Sequence, residues 1–174
     1  GIAGGVREVE PGTLARTIHE RAKRNGENRA SDGVVLHLIH PALLHFSVAF
    51  ITVGGACEIA GLLSRRENLE RFGSRLLLIG LASLVPTMVS GYLAANTVDV
   101  TAEGRALLDA HERNGWIVLG LLFGAQFWKA WCGGRLGSNR QKLYVALVGA
   151  VVLLMLYGAW LGGQMVYGQG VGVR

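Results

Sequence analysis

The chain has 174 residues, 51% of them hydrophobic and only 17% charged, with a formal net charge of +5. A soluble domain carries roughly 25% charged residues, so an ordinary water-soluble domain is excluded, and the length suits a single domain. The two cysteines, Cys57 and Cys132, match no metal-binding spacing and no covalent haem-attachment motif, which removes disulfide scaffolds, zinc modules and c-type haem. The basic residues form no nucleic-acid-binding motif.

Residues 1–33 form a basic N-terminal extension. Within it, "GTLARTIHERAKRNG" predicts a short amphipathic helix capped by Thr13 and stopped at Gly26. Leu14 and Ile18 share its apolar face, with Arg21 and Lys23 on the polar side. Such a helix suits anionic headgroups or an acidic partner.

Residues 34–174 carry four apolar blocks, at about 34–63, 72–95, 116–132 and 143–167. Each is close to or above the roughly 17–25 residues that cross a bilayer as a helix. The fold class expected is therefore all-α, an integral membrane four-helix bundle with a short N-terminal amphipathic extension. The 26 glycines fit this class, because small residues let helix backbones approach where lipid removes the hydrophobic driving force. Gly120–Gly124 and Gly158–Gly162 have that spacing and read as intrachain packing contacts. Pro86 predicts a kink in the second span.

The first span opens with "VVLHLIHPALLHFSVAF", which brings His37, His40 and His45 to its mouth. Pro41 suits the first position of a helix. That makes His40 the cap, puts His45 one turn inside and leaves His37 outside. Glu58 lies near the far end, where Arg65, Arg75 or Lys129 would pair with it as a structural ion pair, with a proton-relay role as the second reading. A further helix is expected from Thr101 into the third span, with Gly104, Leu107, Leu108, His111 and Gly115 on one face. His111 then sits at nearly the depth of His45. No inverted repeat of the transporter kind is legible.

Four antiparallel spans define two surfaces. Side A gathers the histidines, the 96–112 loop and the C-terminal tail. Side B gathers the basic loops "SRRENLERFGSR" and "KAWCGGRLGSNRQK". The positive-inside rule makes side B cytoplasmic and leaves both termini in the periplasm of a bacterial inner membrane. The tail from Gly162 to Val173 is expected to fold back over side A, bringing the Tyr167 hydroxyl to the histidines.

Ionisable groups at the edge of a bilayer core point inward or at a cofactor, and imidazole is a common axial ligand of non-covalent haem. His45 and His111 on facing helices therefore suit a bis-histidine haem b, with His40 as an alternative ligand and Arg105 and Arg113 meeting the propionates. Interfacial histidines bonded to loop carbonyls are the main alternative, and a zinc or copper site on His40, His45 and His111 ranks below it.

At "HPALLHF" and "GGQMVYGQGVGV" the chain resembles a bacterial family of predicted membrane proteins, the domain of unknown function two-two-three-one. The resemblance runs from about Leu36 to Val173 and rests on His40, Pro41, His45, Phe46, His111, Gly162, Gly163, Tyr167 and Gly170. It departs at Ser47, where the family usually has proline. Relatives fused or adjacent to c-type cytochromes and other respiratory modules imply a redox setting.

The expected function is a haem b electron-transfer subunit, not an enzyme in itself. It would work between a periplasmic donor such as cytochrome c or a dehydrogenase and quinone or a larger complex. The alternative is a cofactor-free structural subunit that anchors a membrane assembly through its basic tail.

Overall fold

The computed structural model describes residues 11–96, 100–134 and 136–170. Four helices follow in order, α1 (Pro11–Ser64), α2 (Glu67–Ala95), α3 (Ala102–Trp131) and α4 (Ser138–Gly163), and α4 ends in a π-helical turn, Gln164–Gly168. Among the described residues there is no strand. Successive helices pack on one another and α4 closes back on α1. The bundle is therefore a ring in which α1 and α3 stand diagonally opposed.

Local chemistry explains the ends. Thr101 caps α3 by accepting from the Gly104 N–H at 3.1 Å, as its position in the sequence suggests. At side B the α1–α2 connection is a tight turn with Arg65 at φ 56°, closed by the Arg66 N–H donating to Gly61 O at 2.9 Å. The α3–α4 connection uses Gly133 and Gly134 at φ 67° and 75°. Glycine adopts that backbone without the steric cost of a Cβ.

Two expectations about α1 are corrected. It is one helix through Gly26 and Pro41, so Gly26 is no stop and Pro41 is not its first position. A glycine inside a helix costs only about 1 kcal/mol relative to alanine, which does not by itself end a helix. The side chains of Leu14, Ile18 and His37, and residues 171–174, lie outside the described part. At the other end, α4 runs on through its π turn instead of doubling back, and the π turn packs beside α3. Tyr167 is 93% exposed there, away from the histidines.

Three helical segments are long and apolar enough to cross a membrane, namely Ile39–Ser64, Glu67–Ala95 and Ser138–Gly168. The outer surface presents Phe46, Val53, Phe72, Val85, Val89, Phe123, Leu153 and Trp160, while Ser47, Glu58, Thr87, Ser90, Asn114, Gln126 and Lys129 are buried. A surface richer in large apolar side chains than its polar-studded interior belongs in lipid.

The burial pattern reveals a repeat. The buried positions of α2, from Gly73 through Leu77, Gly80, Leu84 and Thr87 to Ser90, recur in α4 as Tyr144, Val148, Val151, Met155, Gly158 and Leu161. The offset is constant (144 − 73 and 161 − 90 are both 71), and it also separates Glu58 from Lys129. Ser47, Ile51, Gly54 and Gly55 of α1 map in the same way onto Val118, Leu122, Ala125 and Gln126 of α3. The bundle is thus two α-hairpins in parallel orientation about an axis that runs along it, unlike the inverted repeats of transporters.

The halves are packed by different means. Between α1 and α2, a Cβ on Gly73 would fall onto the Glu58 backbone and one on Gly61 onto that of Glu70. Tyr144 occupies the position equivalent to Gly73 and fills a wider gap. In α3, Gly120 and Gly124 have open space where a Cβ would stand. They face outward, which corrects their reading as intrachain contacts. Gly158 packs on the Asn114 amide and Gly162 near the His111 ring, as expected.

Overpacking a close backbone contact costs about 1–3 kcal/mol or more. Gly73→Val should therefore lower the unfolding midpoint of the protein in detergent clearly, whereas Gly124→Val should change stability by no more than about 0.5 kcal/mol. Circular dichroism melts of the two variants check this difference.

Candidate functional site

Polar chemistry collects at the two ends of the bundle, near the axis that relates the hairpins. At side A the histidine of α1 that turns inward is His40. Its Nδ1 lies 3.0 Å from Thr87 O and 3.1 Å from Ser90 Oγ. A carbonyl can only accept, so Nδ1 carries a proton, and in the neutral ring Nε2 keeps the lone pair. His111 of α3 makes the equivalent contact, its Nδ1 donating to Gly158 O at 3.0 Å. The two bonds link positions 47 residues apart in both hairpins. Each imidazole is clamped by the helix that follows its own.

Glycine completes both clamps. A Cβ on Gly91 would stand 2.7 Å from His40 Cε1, and one on the equivalent Gly162 would stand 3.7 Å from His111 Cε1. Below His40 a chain of hydroxyls runs between α1 and α2. Ser47 Oγ is 3.0 Å from both Ser83 Oγ and Thr87 Oγ1, and Thr87 Oγ1 in turn donates to Ser83 O at 2.8 Å. These bonds satisfy buried polar groups that would otherwise be costly in an apolar setting.

The other side-A expectations are redistributed. His45 is exposed, its Nδ1 turned back onto Pro41 O of its own helix at 2.5 Å. It does not face His111; five residues of helix separate it by about 140° from His40. Arg105 and Arg113 are also exposed, and Arg113 lines an outer cleft with Asp109, Glu112, Trp116 and Ile117. Among the described residues, no three His, Cys, Asp or Glu side chains converge, so the three-histidine zinc arrangement loses its third ligand to the outside.

At side B, Glu58 is fully buried and Lys129 nearly so. Lys129 Nζ donates to Glu58 Oε1 at 2.5 Å, Glu70 Oε1 at 2.8 Å and Ser74 Oγ at 2.9 Å. Glu58 Oε1 also accepts from Ser74 Oγ at 2.6 Å and from the Tyr144 hydroxyl at 3.0 Å. Gln126 Nε2 donates to that hydroxyl at 3.0 Å, and the ammonium stands 5.4 Å above the Tyr144 ring. One ammonium thus ties α3 to α1 and α2, while Tyr144 adds α4.

Lys129 was among the partners the sequence proposed for Glu58. Glu70, Ser74, Gln126 and Tyr144 were not foreseen, because nothing in a single helix pattern reports which neighbours meet across a bundle. The 71-residue offset relates Lys129 to Glu58, and both side chains are long enough to meet across the axis.

A family model described as "Predicted membrane protein (DUF2231)" matches residues 36–174. No curated protein and no solved structure matches the chain.

Removing one partner of a buried ion pair costs about 3–5 kcal/mol, because an unpaired charge is left behind. Lys129→Met should therefore destabilise the protein by that order, and adding Glu58→Gln should recover most of the loss. Unfolding of the single and double variants in the same detergent gives the coupling.

Proposed function

The chain belongs to the DUF2231 family of predicted membrane proteins, and on that premise we propose that it is a four-span haem b electron-transfer subunit with His40 and His111 as the axial ligands. The observation that carries this reading is the matched pair of Nδ1–H bonds to Thr87 O and Gly158 O. A metal-bound histidine characteristically donates its other ring N–H to a carbonyl, which sets the tautomer and orients the ring. Two such imidazoles, on diagonal helices and related by the bundle axis, fit the donor set of a bis-histidine haem. The fit requires exchanging His45 for His40.

When bound, haem would supply a one-electron carrier. The chain's own residues would hold the iron from two sides and keep water from it. Thr87 and Gly158 would keep both ligands neutral at Nε2, and Gly91 and Gly162 would leave room beside the rings. Haem at side A alone does not carry electrons across the bilayer. The subunit would hand them laterally, between a periplasmic donor and quinone or a larger complex.

The fourth span in this reading is α3. At 30 residues it is about 45 Å long, ample for a bilayer. The polar residues that lower its hydropathy include Asn114, Gln126 and Lys129, all buried. Turned toward the axis, they are no obstacle to crossing. Side B, with Arg65, Arg66, Arg71, Arg75 and Arg140, would be cytoplasmic in the inner membrane.

Protein purified from haem-replete cells should show a Soret band with sharp α and β bands on reduction. His40→Ala and His111→Ala should each abolish or convert that low-spin spectrum, and His45→Ala should leave it intact. Loss on His45→Ala with retention on His40→Ala would reverse the assignment. Absence of haem from the wild type would leave the anchoring-subunit reading. A cysteine at Asn68 should react with an impermeant probe only after the inner membrane is opened; labelling in intact spheroplasts would invert the topology.

A further inference from the structure

We infer that the side-B cluster is a proton-binding site, with Glu58 as the acceptor and Glu70 as its connection to solvent. Three donors of the cluster converge on a single oxygen. Glu58 Oε1 accepts from Lys129, Ser74 and Tyr144, while Glu58 Oε2 is buried with no hydrogen-bond partner among the described residues. Lys129 has no hydrogen to spare for it, since its three are directed at Glu58, Glu70 and Ser74. The ionisable groups bonded into the cluster are Glu70 from α2, Lys129 from α3 and Tyr144 from α4. Two carboxylates against one ammonium leave a formal charge of −1 where apolar helices surround it, and an orphaned carboxylate oxygen in such a place is expensive.

One added proton cancels the net charge, and with that proton on Oε1 the orphaned Oε2 becomes a carbonyl oxygen, which costs far less to leave unbonded than a carboxylate oxygen. A metal cation does not fit as well, because calcium-like ions require six to eight oxygens. Here a single free oxygen is on offer, beside an ammonium. The route is short. The Glu70 side chain is 23% exposed and that of Glu58 is not exposed at all, with Lys129 bonded to both. A proton leaves hydronium for the Glu70 carboxylate. As Glu70 gives it to Lys129 Nζ, another N–H bond of that ammonium breaks and the Glu58 O–H bond forms. Water and a neutral Glu58 carboxyl result; Lys129 and Glu70 end as they began, and no electron moves. The site stands apart from the histidines. From His40 to Glu58 is about 27 Å along α1, and proton binding does not require that haem be present.

The test is infrared difference spectroscopy of the full chain in lipid nanodiscs, stepped between mildly acidic and mildly alkaline buffer, in water and in heavy water. A protonated-carboxyl band that appears at acidic pH, shifts in heavy water and is lost in Glu58→Gln is expected. Glu70→Gln should keep the band but slow its exchange with heavy water at least tenfold. Tyr144→Phe removes one donor from the charged form of Glu58. It should move the midpoint of the band about tenfold in proton concentration, toward tighter binding, and it provides a readout if Glu58→Gln does not fold. A wild type without the band, a band untouched by both the Glu58 and Tyr144 variants, or exchange unaffected by Glu70→Gln would overturn the proposal. Spectra of haem-free and haem-bearing protein should agree, so failure here and failure of the haem reading are separate results.

Discussion

Lys129 is the residue around which this bundle is arranged. An ammonium in the last turn of a helix that must sit among apolar neighbours has few places to go, and it takes the one place where a carboxylate from the diagonal helix can reach it. Glu58 is subject to the same constraint from the other side. Their contact, at 2.5 Å, draws α1 and α3 together across the axis, and the hydroxyls of Ser74 and Tyr144 complete the coordination from α2 and α4. Taking two charges out of water is costly, and their attraction offsets that cost only when the remaining donors are well placed. Replacing either charge alone removes the reason for the other. What the pair secures is register, since a slip by one residue in either helix would separate the charges.

The hairpin repeat explains why two polar sites exist and why they lie at opposite ends. A position facing the axis in one hairpin has a counterpart facing the same axis in the other. Chemistry that needs two groups face to face can therefore arise at any such level. At Glu58 and Lys129 the counterparts have opposite charge and neutralise one another in part. At His40 and His111 they are alike, and each is held by a carbonyl of its own hairpin. Two neutral imidazoles with free lone pairs do not attract each other. Among the described residues no bond joins the two rings as the ion pair joins Glu58 and Lys129.

The two hairpins have also diverged in how they cohere. The α1–α2 half is joined by backbone contact at Gly54, Gly61, Gly73 and Gly80 and by the hydroxyls of Ser47, Ser83 and Thr87. Their counterparts in the α3–α4 half include Tyr144, Val118, Leu154 and Gly158, of which the first three are larger and only Tyr144 carries a hydroxyl. Small-residue contacts with interhelical hydrogen bonds and large-residue packing are alternative ways to join helices in lipid. This molecule uses one in each half. The outward Gly120 and Gly124 of α3 match Ala49 and Val53 of α1, which are exposed at the equivalent positions.

The sequence by itself determined the apolar blocks, the helical class, the capping of α3 at Thr101 and the concentration of histidine at one end, because each depends on residues close together in the chain. It also placed Lys129 among the partners of Glu58, from charge and helix length alone. It did not distinguish His40 from His45. Both lie in the first span, five residues apart, and only the position of α2 decides which of them faces a carbonyl and which faces outward. Nor did it disclose the repeat, since the paired positions share burial but not residue type, as Gly73 and Tyr144 or Ser47 and Val118 illustrate. Tertiary structure decided these points for one physical reason. A helix pattern states which residues lie on one face, but where that face turns, and which side chain completes a carboxylate or an imidazole, depends on groups 47 or 71 residues away.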